Sequence, residues 1–174
     1  MSAARILAPD PQPELALDGE HGLPRWAAAL DMGARLPFDA AVERGTLANG
    51  CAYYLRANGE PKDRVEISIA VRAGSLDEAD DERGIAHMIE HLAFRGQSGG
   101  DAGCFAIVRE LEALGVRFGS HQNAYTSLEE TVYWLHVPRA CAARATELLA
   151  RMVLDARISD ADVEAEREIV LDEW

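Results

Sequence analysis

From Arg44 onward, polar and apolar positions follow recognisable periods. Gly45-Thr46-Leu47-Ala48-Asn49-Gly50-Cys51-Ala52-Tyr53-Tyr54-Leu55-Arg56 predicts two short strands around an Asn-Gly turn, the strongest short hairpin signal. Val65 to Arg72 alternates apolar and mostly polar residues, as a strand with one buried face does. Ile85, Met88, Ile89 and Leu92 recur at helical spacing, after an acidic stretch, Asp80-Asp81-Glu82, that suits a helix N-terminus. A Gly-rich loop over Gly96 to Gly103 follows, then a helix over Phe105 to Leu114 closed by Gly115. Val116 to Ser127 and Thr131 to Val137 read as a strand pair. Arg139 to Ala156 reads as a helix burying Leu148, Leu149, Met152 and Val153, and Asp160 as the cap of a last helix running to the chain end. Strands and helices interleave without a regular β-α-β-α rhythm, so the fold class is α+β.

The first 43 residues have a different texture. Five of the seven prolines fall within the first 37 residues, among polar and Gly positions, and predict an extended arm over 1–43 leading into the domain. The folded part is then 44–174, one domain or a large part of one.

Within the apolar-striped helix lies His87-Met88-Ile89-Glu90-His91, the H-x-x-E-H pattern. Residues four apart share a helix face, so His87 and His91 can present two imidazoles to one cation. Zinc held by two neutral imidazoles and a carboxylate keeps a fourth position for water and lowers that water's pKa from about 15.7 to about 7. Glu90, one turn from His87 and beside His91, is placed to take the water's proton and deliver it to a leaving amine. A third protein ligand is required, and the last helix offers Glu164, Glu166, Glu168 and Glu173. Glu166 and Glu173 lie on nearly the same face, about 10 Å apart along the axis, too far to share one ion. One is the ligand and the other supports it; spacing does not decide which.

Charge and cysteine content narrow the partners. A net charge of −13 argues against nucleic acid and anionic membranes, which reward Lys and Arg. No run of 18 apolar residues is present. Cys51, Cys104 and Cys141 are odd in number and unpatterned, which argues against a disulfide framework. The N-terminal residues lack the apolar core of a secretory signal, so the location is cytoplasmic on the sequence as given, and periplasmic if the chain is processed or mis-started.

Several linked motifs resemble the pitrilysin/insulinase family of zinc peptidases, whose relatives include the mitochondrial processing peptidases. They are Arg44 to Gly50, Arg72-Ala73-Gly74-Ser75, Gly84 to Gly96 around the two histidines, Asn123 to Ser127 with Glu130 to Tyr133, and Glu166 to Glu173 as E-R-x-x-V-x-x-E. The resemblance implies a largely antiparallel mixed sheet packed against helices, forming the N-terminal part of a metallopeptidase domain. It implies Zn2+ held by His87, His91 and Glu173, with Glu166 as the supporting carboxylate. It also implies that Asn123 and Ala124 line a cleft where a peptide or small-protein substrate adds to a sheet edge, Asn123 bonding its backbone. The spacing from His91 to Glu173 is a few residues longer than usual in the family, an excess the Gly96 to Gly103 loop can absorb.

The family's domain continues past the position of Trp174, and a second homologous domain closes over the substrate. The chain is therefore expected to be a fragment or truncated product that pairs with a further domain or subunit. His121 and His136 read as strand residues satisfied by local hydrogen bonds. Two other classes compete with the endopeptidase. One is a small-molecule lyase resembling S-ribosylhomocysteine lyase, in which Cys104 or Cys141 would be the third ligand. The other is a noncatalytic scaffold subunit of the peptidase family.

Overall fold

A computed structural model describes residues 38–96 and 105–173. The chain divides into two compact units, Met1–Ala57 and Asn58–Trp174. In the first, β1 (Val42–Thr46) and β2 (Ala52–Arg56) form an antiparallel hairpin, with Val42 opposite Arg56 and Thr46 opposite Ala52. Its connection is longer than a two-residue turn. Leu47 N–H bonds Cys51 O, Gly50 sits at φ +89°, and Asn49 Oδ1 accepts from Cys51 N–H. Strand β1 starts at Val42, two residues inside the expected arm, most of which lies outside the described residues.

The second unit holds a three-stranded sheet of order β3-β5-β4, antiparallel throughout: β3 (Arg64–Val71), β4 (Gln122–Thr126) and β5 (Thr131–Pro138). Register sorts the faces. Val65, Ile67 and Ile69 stand opposite Val137, Leu135 and Tyr133, and Gln122 and Ala124 stand opposite Leu135 and Tyr133. This face carries the core. The other presents Glu66, His136, Ser68, Trp134 and Asn123.

Four helices accompany the sheet: α1 (Ile85–Arg95), α2 (Ala106–Ala113), α3 (Ala142–Leu154) and α4 (Asp160–Asp172). Leu148, Leu149 and Met152 of α3 join Ile107, Val108 and Leu111 of α2, Phe94 of α1 and Leu135 of β5 in one cluster. Each fully buried leucine contributes roughly 1.5–3 kcal/mol by leaving water. Helix α1 packs on β4, β5 and α4.

Several boundaries differ from the sequence reading. The expected strand over Val116 to Ser127 is regular only from Gln122. Gly119 lies at φ +79°, and His121 N–H bonds Arg117 O, so the chain turns before it extends. Helix α3 begins at Ala142 after a 3-10 turn over Arg139–Cys141, and Val153 is only partly buried. The cap of α4 is Ser159, not Asp160: its side chain accepts from Asp162 N–H, while the Asp162 carboxylate accepts from Ser159 N–H, a capping box. The Gly-rich loop lies, beyond Gly96, outside the described residues.

Candidate metal centre

The site is built where α1 meets α4. His87 and His91 project from the same side of α1, their rings in edge-to-face contact with centroids 4.8 Å apart. Glu173 closes the C-terminus of α4. Its Oε2 lies 3.4 Å from His87 Nε2 and 3.5 Å from His91 Nε2. These separations are long for an N–H···O hydrogen bond, which prefers about 2.7–3.2 Å. They match a tetrahedral zinc ion, whose ligand distances of about 2.0–2.2 Å place donors roughly 3.3–3.5 Å apart. One donor atom from each of the three residues lies within 4.8 Å of the others, and no other such group of His, Cys, Asp or Glu occurs among the described residues. Two imidazole nitrogens and a carboxylate oxygen therefore fit zinc in chemistry as well as in spacing.

Glu166 faces His91. Its Oε2 lies 3.3 Å from His91 Nδ1, so a ring N–H there directs the other nitrogen, Nε2, toward Glu173 and His87. Glu166 is buried, and its Oε1 accepts from Arg95 Nη1 at 2.9 Å. Glu173 is half exposed, and Glu164, on the same helix, pairs instead with Arg167 in solvent.

Glu90 lies on α1, turned toward the sheet. It is buried, and Thr126 Oγ1 donates to its Oε2 at 2.6 Å. Thr126 in turn lies 3.4 Å from the Thr131 hydroxyl, which donates to Ala73 O. Beside it, burial and, secondarily, the Glu90 charge push the Tyr133 phenol up to about 12, so the ring stays neutral.

The start of α1 is fixed by Glu78. Its carboxylate accepts from Gly84 N–H at 2.9 Å and Ala86 N–H at 2.7 Å, occupying free amides of the first turn where negative charge is favoured. The acidic triplet expected there is used elsewhere: Asp80 pairs with Arg83, and Glu82 accepts from Ala79 N–H. Gly84 itself sits at φ +93°, a left-handed position that glycine fills without strain.

Asn123 and Ala124 lie on β4, which among the described residues is an edge strand of the three-stranded sheet. Ala124 shares a face with Thr126, and thus with Glu90. Asn123 is on the opposite face, and its Oδ1 accepts from Ala124 N–H at 3.0 Å. Neither His121 nor His136 belongs to the donor group. His121 Nδ1 accepts from Arg117 N–H, and His136 pairs with Glu66 and stacks on Trp134. Cys141 stands outside the group too, at the N-terminus of α3, and Cys104 lies outside the described residues.

Four side chains at or beside the centre were not singled out from the sequence: Glu78, Arg95, Thr126 and Asp162. Strand alternation could have placed Thr126 beside Ala124 on the buried face. For Arg95 and Asp162 no local pattern exists, because their partnership spans 67 positions.

An antiparallel sheet backed by helices, with an inverted H-x-x-E-H helix and a distant glutamate brought to one point, defines a class of α+β metal-site domains. The chain belongs to the insulinase family, peptidase family M16, which matches residues 53–174. It is 37% identical over 148 residues to the probable zinc protease PqqL of Haemophilus influenzae, covering 83% of this chain and 16% of that protein. It is 40% identical over 141 residues to an Arabidopsis thaliana zinc protease PQQL-like protein, covering 79% and 14%. The crystal structure of the periplasmic protease PqqL from Escherichia coli superposes with a TM-score of 0.73 at 33% identity, over 81% of this chain and 16% of that one. The chain thus spans about a sixth of the length of these relatives.

Proposed function

We propose that the protein is the metal-binding part of a zinc-dependent endopeptidase, with His87, His91 and Glu173 holding the ion. The observation that carries this reading is the meeting of His87 Nε2, His91 Nε2 and Glu173 Oε2 at 3.4 and 3.5 Å, with both histidines on the helix that also carries the buried carboxylate of Glu90. When bound, zinc supplies Lewis acidity, polarising a peptide carbonyl and acidifying water.

The chain's own residues do the rest. Thr126 engages Glu90 Oε2, so Oε1 takes the water's proton and passes it to the departing amine nitrogen. Glu166 holds the His91 ring in the tautomer that leaves Nε2 free to ligate. The substrate pairs its main chain with the β4 edge. Gln122 O is bonded by Gly119 N–H, away from β5, so by strand alternation the main-chain groups of Ala124 also face away from β5. In this reading Asn123 swings off Ala124 N–H as a peptide or small-protein substrate arrives, exchanging an internal bond for one to the substrate.

Residues 44–174 act as the N-terminal part of a peptidase domain, completed by a homologous second domain or subunit. The coverage of about a sixth of each relative supports this. Expressed without such a second domain, residues 44–174 cleave peptides poorly, because nothing then excludes water from the cleft or holds the substrate in register. A periplasmic location, as for the Escherichia coli protein, agrees with this reading.

Zinc content and peptide cleavage test it. His87→Ala, His91→Ala and Glu173→Ala each empty the site. Glu90→Gln, introduced into a chain completed by its remaining domains, retains zinc and loses hydrolysis by about 10²–10⁴-fold. Near-normal turnover in Glu90→Gln removes Glu90 from the mechanism. Loss of zinc in Cys104→Ser or Cys141→Ser, with Glu173→Ala still loaded, supports a lyase-like arrangement instead.

A further inference from the structure

Arg95, the last residue of α1, ties together, among the described residues, three groups that come from elsewhere in the chain. Its Nη1 donates to Glu166 Oε1 at 2.9 Å, its Nε donates to Asp162 Oδ1 at 3.3 Å, and its guanidinium carbon lies 5.5 Å from the centre of the Phe105 ring. Phe105 N–H also bonds Arg95 O. Glu166 and Asp162 are both buried, 5% and 4% exposed, and they sit one helical turn apart on α4. Two buried carboxylates at that spacing repel each other and lose hydration, so the helix face that meets α1 needs a cation between them. Arg95 supplies it, with donors in a fixed planar fork that a lysine cannot reproduce.

The division of labour among the carboxylate oxygens is specific. Arg95 takes Glu166 Oε1, leaving Oε2 for His91 Nδ1. Arg95 takes Asp162 Oδ1, leaving Oδ2 for Ser159 N–H and the Ser159 hydroxyl. The N-cap of α4 is thereby joined, through Asp162, Arg95 and Glu166, to the imidazole that must point at the ion. Glu173 hangs from the other end of the same helix.

The geometry points to Arg95 as a positioning residue of the metal centre: with Asp162 it locks Glu166 against His91 and seats α4 so that Glu173 reaches both histidines. This inference rests on the zinc reading above, and a readout other than peptidase activity tests it.

The 174-residue chain is titrated with Zn2+ in competition with a chromophoric chelator, and the visible absorption of its Co2+-saturated form is recorded. Arg95→Met raises the zinc Kd by about 10–100-fold, the usual consequence of losing support behind a ligand. It also alters the Co2+ bands at saturation, which a change in folding stability alone does not do. Arg95→Lys restores part of the affinity, because the charge returns without the fork. Asp162→Asn retains an oxygen for the Ser159 cap and gives a smaller rise in Kd, keeping the test available if Arg95→Met does not fold. Val108→Ala, in the core on α2 and outside this network, is the control: it lowers the urea midpoint of the metal-free protein and leaves the Co2+ bands unchanged.

A wild-type chain that binds neither ion overturns the zinc reading and this inference with it. Wild-type binding together with an unchanged Kd and unchanged Co2+ bands in Arg95→Met, or in Arg95→Lys and Asp162→Asn should that variant not fold, overturns the role of Arg95 alone.

Discussion

Helices α1 and α4 both contribute to the His87, His91 and Glu173 group, but they are attached to the protein by different physics. Leu92, Ala93 and Phe94 bury the C-terminal half of α1, and Phe94 meets Phe118 edge to face and Tyr133 at a tilt. The buried residues of α4 are Asp162, Glu166 and Val170, two carboxylates and a single apolar side chain. The first helix is anchored by exclusion of water, which is strong and indifferent to small changes of angle. The second is held by oriented polar bonds, which fix direction and contribute less net stability. His87 and His91 thus come preset, while the placement of Glu173 depends on the polar bonds of α4. Exposure follows the same order: the His91 side chain is 20% exposed and that of Glu173 is 50%.

Mutations separate the two modes. Phe94→Ala removes an aromatic ring from the core and lowers the unfolding free energy by about 3–5 kcal/mol, read from urea denaturation. A loss below 1 kcal/mol would mean α1 is not anchored by its apolar face.

Alkaline titration probes the same core through Tyr133. Its pKa rises from 10.0 to about 12 on folding, so below pH 10 both states keep the proton and stability is independent of this group. Between pH 10 and about 12 the unfolded chain loses the proton first, and stability falls by roughly 2–3 kcal/mol. Tyr133→Phe should flatten that slope in denaturation curves taken across this range.

On α4, Val170→Ala trims the one buried apolar side chain of the helix and costs about 1–2 kcal/mol, visibly less than Phe94→Ala. Ser159→Ala, which deletes the N-cap acceptor, costs about 1 kcal/mol. Should either α4 substitution cost as much as Phe94→Ala, the distinction between the helices disappears.

What could be read from the sequence divides along a similar line. The histidine-bearing helix, the hairpin, the strand over Thr131–Pro138 and the Gly115 stop all arise from local period or local backbone preference, and each stands within a few residues of its expected place. Ser159 and Asp160 are both good caps by residue type, and only the reciprocal bond with Asp162 distinguishes them. Sequence proximity favours the acidic run Asp80-Asp81-Glu82 over Glu78, but the chain folds back to bring Glu78 to the amides of α1. Val116 to His121 reads as strand by composition, but a left-handed glycine and a local histidine bond turn it. Contacts such as Arg95 with Glu166 or Thr126 with Glu90 join residues 71 and 36 positions apart, and nothing local encodes them.

The short bond from Asn123 to Ala124 bears on a hazard any protein with an open strand faces. An unpaired sheet edge is a template on which other copies can stack, and a protein that keeps one for passing peptides also invites its own aggregation. Here the strand is five residues long, and two of its outward main-chain groups are already occupied: Gln122 O by Gly119 N–H and Ala124 N–H by the Asn123 amide. Such internal plugs keep the edge colloidally quiet until a partner displaces them, so loss of Asn123 should show first as turbidity in concentrated solution.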